Sequence, residues 1–168
     1  RGLKNSYLNI GLMFDRLNLP DSSLTYLQKA ADLSDELDDI MFKAQTYNYL
    51  GNQHRRMGHY EKAETVLIDA LNYAKASNLR SEVARATSGL SSLYLDTDNL
   101  VLSEQYALES LELYRNEANT AEISTIFEIL SIVKEKQNQY DVALEYYREH
   151  TALNDSLTNA SRMEQITA

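Results

Sequence analysis

The apolar positions of this chain recur at spacings of three and four residues along its whole length. In the first forty residues, one stripe runs through Leu3, Tyr7, Ile10 and Phe14, and a second follows between Leu24 and Leu33. Such spacings place each stripe on one face of an amphipathic helix. The segments between the stripes are rich in Asn, Asp and Gly, which favour turns and helix ends. The pattern predicts an all-α chain of eight helices in four antiparallel pairs.

The same pattern occurs four times with a period of forty residues. Each copy has an aromatic residue or Thr, then Ile or Leu three positions later, then Gly or Ser: Tyr7–Ile10–Gly11, Tyr47–Leu50–Gly51, Thr87–Leu90–Ser91 and Phe127–Leu130–Ser131. A fixed period of this length is typical of solenoids, which stack equal units side by side. We therefore predict one α-solenoid over residues 1–157, with repeats at about 1–37, 38–77, 78–117 and 118–157, and a connecting helix or tail at 158–168.

Small residues at a second set of positions indicate how the two helices of each pair pack. Ser23, Ala63, Ser103 and Ala143 recur every forty residues on the second helix of each pair. Opposite the Gly or Ser of the first helix, they allow two backbones to approach closely. The bulkier residues expected to fill the space beside them are Leu27, Leu67, Ala107 and Tyr147.

These residues resemble the signature of the tetratricopeptide repeat family. The second repeat matches it best, with Tyr47, Leu50, Gly51, Gly58, Tyr60, Ala63, Leu67 and Ala70. The usual repeat has about 34 residues and often closes with Pro. Here the period is forty and no Pro follows any second helix, so those helices are free to extend by a turn or more. The resemblance implies a right-handed superhelix that binds a protein or peptide ligand on its concave face.

In that family the first helix of each pair lines the concave groove. Asn side chains both donate and accept hydrogen bonds, which suits an extended peptide backbone. Arg side chains can bind a carboxylate through paired N–H bonds. The alternative is a solvated helical face with no ligand. The resemblance implies ten groove residues: Asn5, Asn9, Gln45, Asn48, Asn52, Arg55, Arg56, Arg85, Ser88 and Ser92.

The end of the chain has a narrower likeness. Residues 144–157, with Tyr146-Tyr147-Arg148 and Asn154-Asp155-Ser156, look like the closing repeat of sensor arrays in bacterial two-component histidine kinases and related helix-turn-helix regulators. This likeness implies that residues 158–168 begin a connector to an effector, with a homodimer through that helix as one expected state. Because the helical pattern is already present at Arg1, we expect a segment of a longer protein. The sequence leaves the compartment open: the bacterial periplasm for the sensor domain of a kinase, or the cytoplasm.

Several kinds of chemistry are not indicated by the sequence. A net charge of −9 disfavours direct binding to nucleic acid, and the absence of Cys excludes thiolate metal sites. His54 and His59 are five residues apart across a Gly, so they do not share a helix face as the histidines of a zinc motif do. His54 and His150 are instead expected to be structural. We expect no catalytic residue, no metal, no cofactor and no membrane segment in these residues.

Three functions remain open at this point. The leading hypothesis is a non-catalytic sensory or interaction domain of a larger bacterial signalling protein, in which a kinase would lie outside these residues. The second is a free-standing adaptor that assembles a protein complex. The third is a cytoplasmic peptide-pheromone receptor resembling the Rap family.

Overall fold

The computed structural model describes the backbone of residues 2–117 and 119–167, and the side chains of residues 5–117, 119–160, 162 and 163. Within these ranges the chain forms eight α-helices and no strand, which confirms the predicted all-α fold. The helices are α1 (Gly2–Arg16), α2 (Pro20–Glu36), α3 (Ile40–Arg56), α4 (Tyr60–Ala76), α5 (Arg80–Asp96), α6 (Leu100–Glu117), α7 (Thr120–Lys136) and α8 (Tyr140–Thr167).

The turns between these helices explain the forty-residue period. Helices α2, α3, α4, α5 and α7 each have 17 residues, and three residues separate each of α1 to α5 from the next helix. Two helices and two turns therefore give forty residues. The middle residue of six turns has a positive φ, between 49° and 75°, a backbone conformation for which Asn, Asp and Gly are best suited. These residues are Asn18, Asp38, Gly58, Asn78, Asp98 and Asn138.

The predicted small residues lie where the helices of each pair meet. A Cβ atom added to Gly51 would come within 2.6 Å of Cγ of Leu67, so only Gly allows this approach of α3 to α4. In the third repeat, the hydroxyls of Ser91 and Ser103 each donate to the other residue's carbonyl oxygen at 2.9 Å. The predicted pairing of the two small-residue positions is therefore confirmed.

Tyr147 is a correction to the predicted core. Its side chain is 54% exposed, whereas Leu67, two repeats earlier, is fully buried. In the second repeat, α5 covers the equivalent face of α4. No helix in the described ranges comes after α8, so Tyr147 lies at an open end of the stack.

The helices form one continuous stack. Each helix packs on the next, and α3 also contacts α5 as α5 contacts α7. The first helices of the pairs therefore lie side by side on one face, which we call the inner face. The apolar core crosses the repeat boundaries, since Ala44, Leu67 and Leu90 belong to one buried cluster. No described helix is long and apolar enough to cross a membrane.

Candidate ligand-binding groove

The ten predicted groove residues all lie on α1, α3 and α5. Asn5 and Asn9 are exposed on α1. Apart from Arg56, which is exposed, the remaining predicted residues are more enclosed, because α3 and α5 have neighbours on both sides. Gln45 and Asn52 on α3 and Ser88 and Ser92 on α5 are half-buried. We call these last four residues the polar row.

Two members of the polar row make hydrogen bonds within their own helix. Asn52 Nδ2 donates to the backbone carbonyl oxygen of Asn48 at 2.9 Å, and the hydroxyl of Ser92 donates to the backbone carbonyl oxygen of Ser88 at 3.1 Å. Each helix bond uses one donor, and the Asn52 amide has a second donor and an acceptor oxygen. The polar row therefore keeps hydrogen-bonding capacity for a ligand.

Asn48 has a different environment from the one the sequence suggested. Its side chain is fully buried. Its amide nitrogen donates to Glu82 twice, to the backbone carbonyl oxygen at 3.1 Å and to Oε2 at 2.9 Å. Asn48 thus joins the middle of α3 to the first turn of α5 and is not available at the surface to a ligand.

The arginines of the predicted site are already paired across repeats. Arg55 Nη1 lies 2.7 Å from Oδ2 of Asp96 at the end of α5, and Arg56 pairs with Asp15 near the end of α1. These carboxylates occupy the positions that were predicted for a ligand carboxylate. A carboxylate ligand would therefore have to displace them.

Arg85 is held by an aromatic residue that sequence reasoning did not include in the site. Its guanidinium donates to the hydroxyl of Tyr49 and lies 5.0 Å from the centre of that ring. Arg85 Nε is also 3.5 Å from Oε2 of Glu82. The position of Tyr49, next to Asn48 on the helix that carries half of the predicted residues, was the signal that could have identified it.

A small cavity lies on the inner face between α1 and α3. Its volume is about 50 Å³, and it is lined by Leu12, Asp15, Leu27, Tyr49, Asn52, Gln53 and Arg56. Sites for drug-sized molecules are typically about 300–1,000 Å³. This cavity suits a water molecule or the tip of a side chain, so it favours an extended ligand over a compact one.

A further ion pair links the second helix of the third pair to the first helix of the fourth pair. Lys134 Nζ lies 2.5 Å from Oε1 of Glu104, and Gln137 Nε2 donates to the other oxygen at 3.0 Å. Burial alone would raise the pKa of Glu104, but the hydrogen bonds from Lys134 and Gln137 and the Lys134 charge lower it below its usual value. The pair joins α6 to α7.

We expect the Glu104 contacts to stabilise the protein in a pH-dependent way. Because the folded pKa is below the unfolded one, the stabilisation is fully present above the unfolded pKa of about 4.3 and is lost as the pH falls through the folded pKa. Urea unfolding should show Glu104→Gln to be about 1 kcal/mol less stable than the wild type at neutral pH. This difference should disappear in strong acid.

The matched control for this prediction is Glu109→Gln. Glu109 pairs with Lys75 at 3.1 Å, but both side chains are more exposed than those of Glu104 and Lys134. Its substitution should have a smaller effect at every pH, because water screens exposed ion pairs. A Glu104→Gln difference that stays constant across the pH range would contradict the prediction.

The surroundings of two histidines bear on the structural roles that the sequence predicted for them. His150 Nδ1 lies 2.9 Å from the carbonyl oxygen of Ser124, so this nitrogen carries the proton. His54 is only 8% exposed, and its pKa is lowered by burial and by the nearby His59 and Lys62. Although His54 and His59 do not share a helix face, the turn brings their Nδ1 atoms to 3.4 Å.

Comparison of the sequence with family profiles identifies one match. Residues 44–77, which include most of α3 and all of α4, match the tetratricopeptide repeat profile TPR_10. This segment coincides with the repeat that resembled the family best. Comparison with curated proteins gave no match.

Several solved structures have the same fold. BtubC (BKLC) from P. vanneervenii is 18% identical with a TM-score of 0.79, and the match covers 93% of this chain and 65% of that chain. The apo form of RapI is 17% identical with a TM-score of 0.82, over 93% of this chain and 57% of that chain. A Signal Transduction ATPase with Numerous Domains protein with a tetratricopeptide repeat sensor, from Pyrococcus horikoshii, is 16% identical with a TM-score of 0.80, over 92% of this chain and 24% of that chain.

These likenesses establish the fold alone. Their sequence identities are too low to indicate a shared function. The chain spans less than two thirds of the length of each of these three proteins. One tetratricopeptide repeat is thus identified by sequence, and the architecture of such repeats extends through the described residues. A fold of this kind is a scaffold for protein–protein interaction.

Proposed function

We propose that this chain, a tetratricopeptide-like scaffold, is the sensory or interaction domain of a larger signalling protein and binds a protein or peptide segment along its inner face. The observation that carries this proposal is the polar row, Gln45, Asn52, Ser88 and Ser92, which lies half-buried on two adjacent helices. An extended ligand has unpaired backbone N–H and C=O groups, which amides and hydroxyls can satisfy. No catalytic role is part of the proposal.

The neighbouring ion pairs suggest how binding would be transmitted. Arg55 and Arg56 connect α3 to the ends of α5 and α1 through Asp96 and Asp15. A ligand carboxylate that takes one of these arginines would release a contact between two repeats. The repeats would then be free to change their relative orientation, because the pair had joined them at the inner face.

Helix α8 is the element proposed to carry this change to an effector. It runs without interruption from Tyr140 to Thr167, so residues 158–167 of the predicted connector continue a helix of the last repeat. The protein from Pyrococcus horikoshii, whose tetratricopeptide repeats are described as a sensor, supports this arrangement. Dimerisation through α8, where Tyr140, Leu144 and Tyr147 are exposed, is a further part of the proposal that sedimentation would test.

The groove is tested by peptides selected from a random library on the purified chain. Their affinity would be measured by calorimetry for the wild type and for Asn52→Ala. We expect Asn52→Ala to weaken binding about three- to tenfold, because this change in affinity corresponds to the net free energy of one hydrogen bond. The matched control is Asn72→Ala, since Asn72 is an exposed amide on α4, away from the inner face. Peptides that bind both variants as tightly as the wild type would contradict the assignment of the groove.

An alternative is a cytoplasmic peptide receptor resembling RapI, a protein whose fold matches over 93% of this chain. A free-standing adaptor is the other alternative. The gene sequence on both sides of these residues separates the three functions. A kinase, an ATPase or a helix-turn-helix segment in the same protein is expected for the sensor, and a protein that ends close to residue 168 would contradict it.

A further inference from the structure

The turn between α3 and α4 brings two imidazole rings together. His54 is in the last turn of α3, and His59 is the residue that precedes α4. Gly58 reverses the chain between them with φ of 75°, and the backbone N–H of His59 donates to the carbonyl oxygen of His54 at 2.9 Å. The ring centres are 5.7 Å apart, and the two Nδ1 atoms are 3.4 Å apart.

This distance is long for a hydrogen bond and suitable for a shared metal ion. Hydrogen bonds from N–H donors are typically about 2.7–3.2 Å long. Two imidazole nitrogens bound to tetrahedral zinc, with Zn–N bonds of about 2.0–2.1 Å, are separated by about 3.3–3.4 Å. The Nδ1 separation of His54 and His59 has this value. The same type of nitrogen from each ring faces the space between the rings.

The surroundings hold one of the two rings in place and leave the other open to an ion from solvent. His54 is only 8% exposed and is held within α3, whereas His59 is exposed. An open cavity of about 440 Å³, lined by His59, Glu61 and Lys62 among others, lies beside the exposed ring and has room for water. The C-terminal end of α3 favours a cation, while the Lys62 ammonium and the N-terminal end of α4 oppose it.

We propose that His54 and His59 form a two-histidine site for a divalent transition-metal ion such as Zn²⁺ or Ni²⁺, with water completing the coordination. Imidazole nitrogen is a preferred ligand of these ions. With two protein ligands, fewer than the three or four of ordinary zinc sites, the site would be weak and open to water. In the described residues there is no group of three or more His, Asp or Glu that could hold a metal ion, so the site depends on this pair. The turn supplies the geometry that a single helix face could not.

The site is tested by calorimetric titration of the chain, freed of any histidine tag, with ZnCl₂ and NiCl₂ in a buffer that does not bind metals. His59→Gln should weaken the affinity by at least about tenfold, because it removes a direct ligand. This variant should remain folded, since His59 is exposed and its side chain makes no capping hydrogen bond to α4. Lys62→Gln should bind the ions more tightly than the wild type, because it removes a nearby positive charge.

The matched control is His150→Gln, which removes a histidine from another part of the stack. It should bind one ion per chain with the wild-type affinity. No binding by the wild type would show that the two rings make only a long N–H···N contact. Equal affinity of His59→Gln and the wild type would place the ion elsewhere. Either result would overturn the proposal, and neither bears on the groove.

Discussion

Asn48→Asp is expected to destabilise the protein by about 3 kcal/mol, the order of cost of an uncompensated charge in the interior. The side chain is fully buried, and its Nδ2 donates to the backbone carbonyl oxygen of Glu82 and to Oε2 of the Glu82 carboxylate. The substitution removes these two donors and places a second carboxylate about 3 Å from that of Glu82. Urea unfolding at neutral pH measures the change in the free energy of unfolding.

Two further variants identify the cause of this loss. Asn72→Asp introduces the same charge at an exposed position of α4 and should change the stability by less than about 0.5 kcal/mol. Glu82→Gln in the Asn48→Asp background should restore part of the stability, because it removes the repulsion between the two carboxylates. Equal stability of Asn48→Asp and Asn72→Asp would show that residue 48 reaches solvent.

Gly51→Ala is expected to destabilise the protein by about 2 kcal/mol, in contrast to the gain of up to about 1 kcal/mol that this exchange gives in an open helix. The new Cβ would lie 2.6 Å from Cγ and 2.9 Å from Cδ2 of Leu67, and 3.3 Å from the backbone nitrogen of Leu67. To relieve this clash, α3 and α4 would have to move apart. Thermal and urea unfolding measure the resulting loss of stability.

A double-mutant cycle with Leu67→Ala tests this explanation. Leu67 is fully buried, so Leu67→Ala alone should cost about 2–5 kcal/mol. In the double variant the two Leu67 carbons closest to the new methyl group are absent, and the combined loss should be smaller than the sum by at least about 1 kcal/mol. Strictly additive effects would mean that residue 51 does not press on residue 67.

Gly11→Ala should destabilise the protein less than Gly51→Ala, because the new Cβ at residue 11 would lie 2.9 Å from the nearest side-chain atoms of Leu27.

The fold could be predicted from the sequence because its determinants are local and periodic. Asn18, Asp38 and Asn78 mark turns through their own backbone preference, and Gly51 and Ala63 indicate a close approach without knowledge of any distant residue. These signals recur forty residues apart, so each repeat supports the interpretation of the others. The exposure of Tyr147 was not predicted, since it depends on whether a further helix covers the outer face of α8.

The candidate groove was predicted only in outline. The helical spacing placed Asn48, Arg55 and Arg56 on one helix, but not their partners, which are 34 to 41 residues away in neighbouring repeats. Which carboxylate meets which arginine depends on how the repeats rotate relative to one another. The approach of His54 to His59 was missed for a different reason, because the spacing of five was judged on a continuous helix and not across a turn.

The equal length of the turns has a consequence for how such a chain can change in size. If residues 58–97 were deleted, Met57 would be followed by Asp98, a residue that already has positive φ in an equivalent turn. Gly51 would then face Ser103, a small residue at the position that Ala63 occupies now. A hairpin is therefore an exchangeable module, and gene duplication or loss could lengthen or shorten the binding surface in uniform steps.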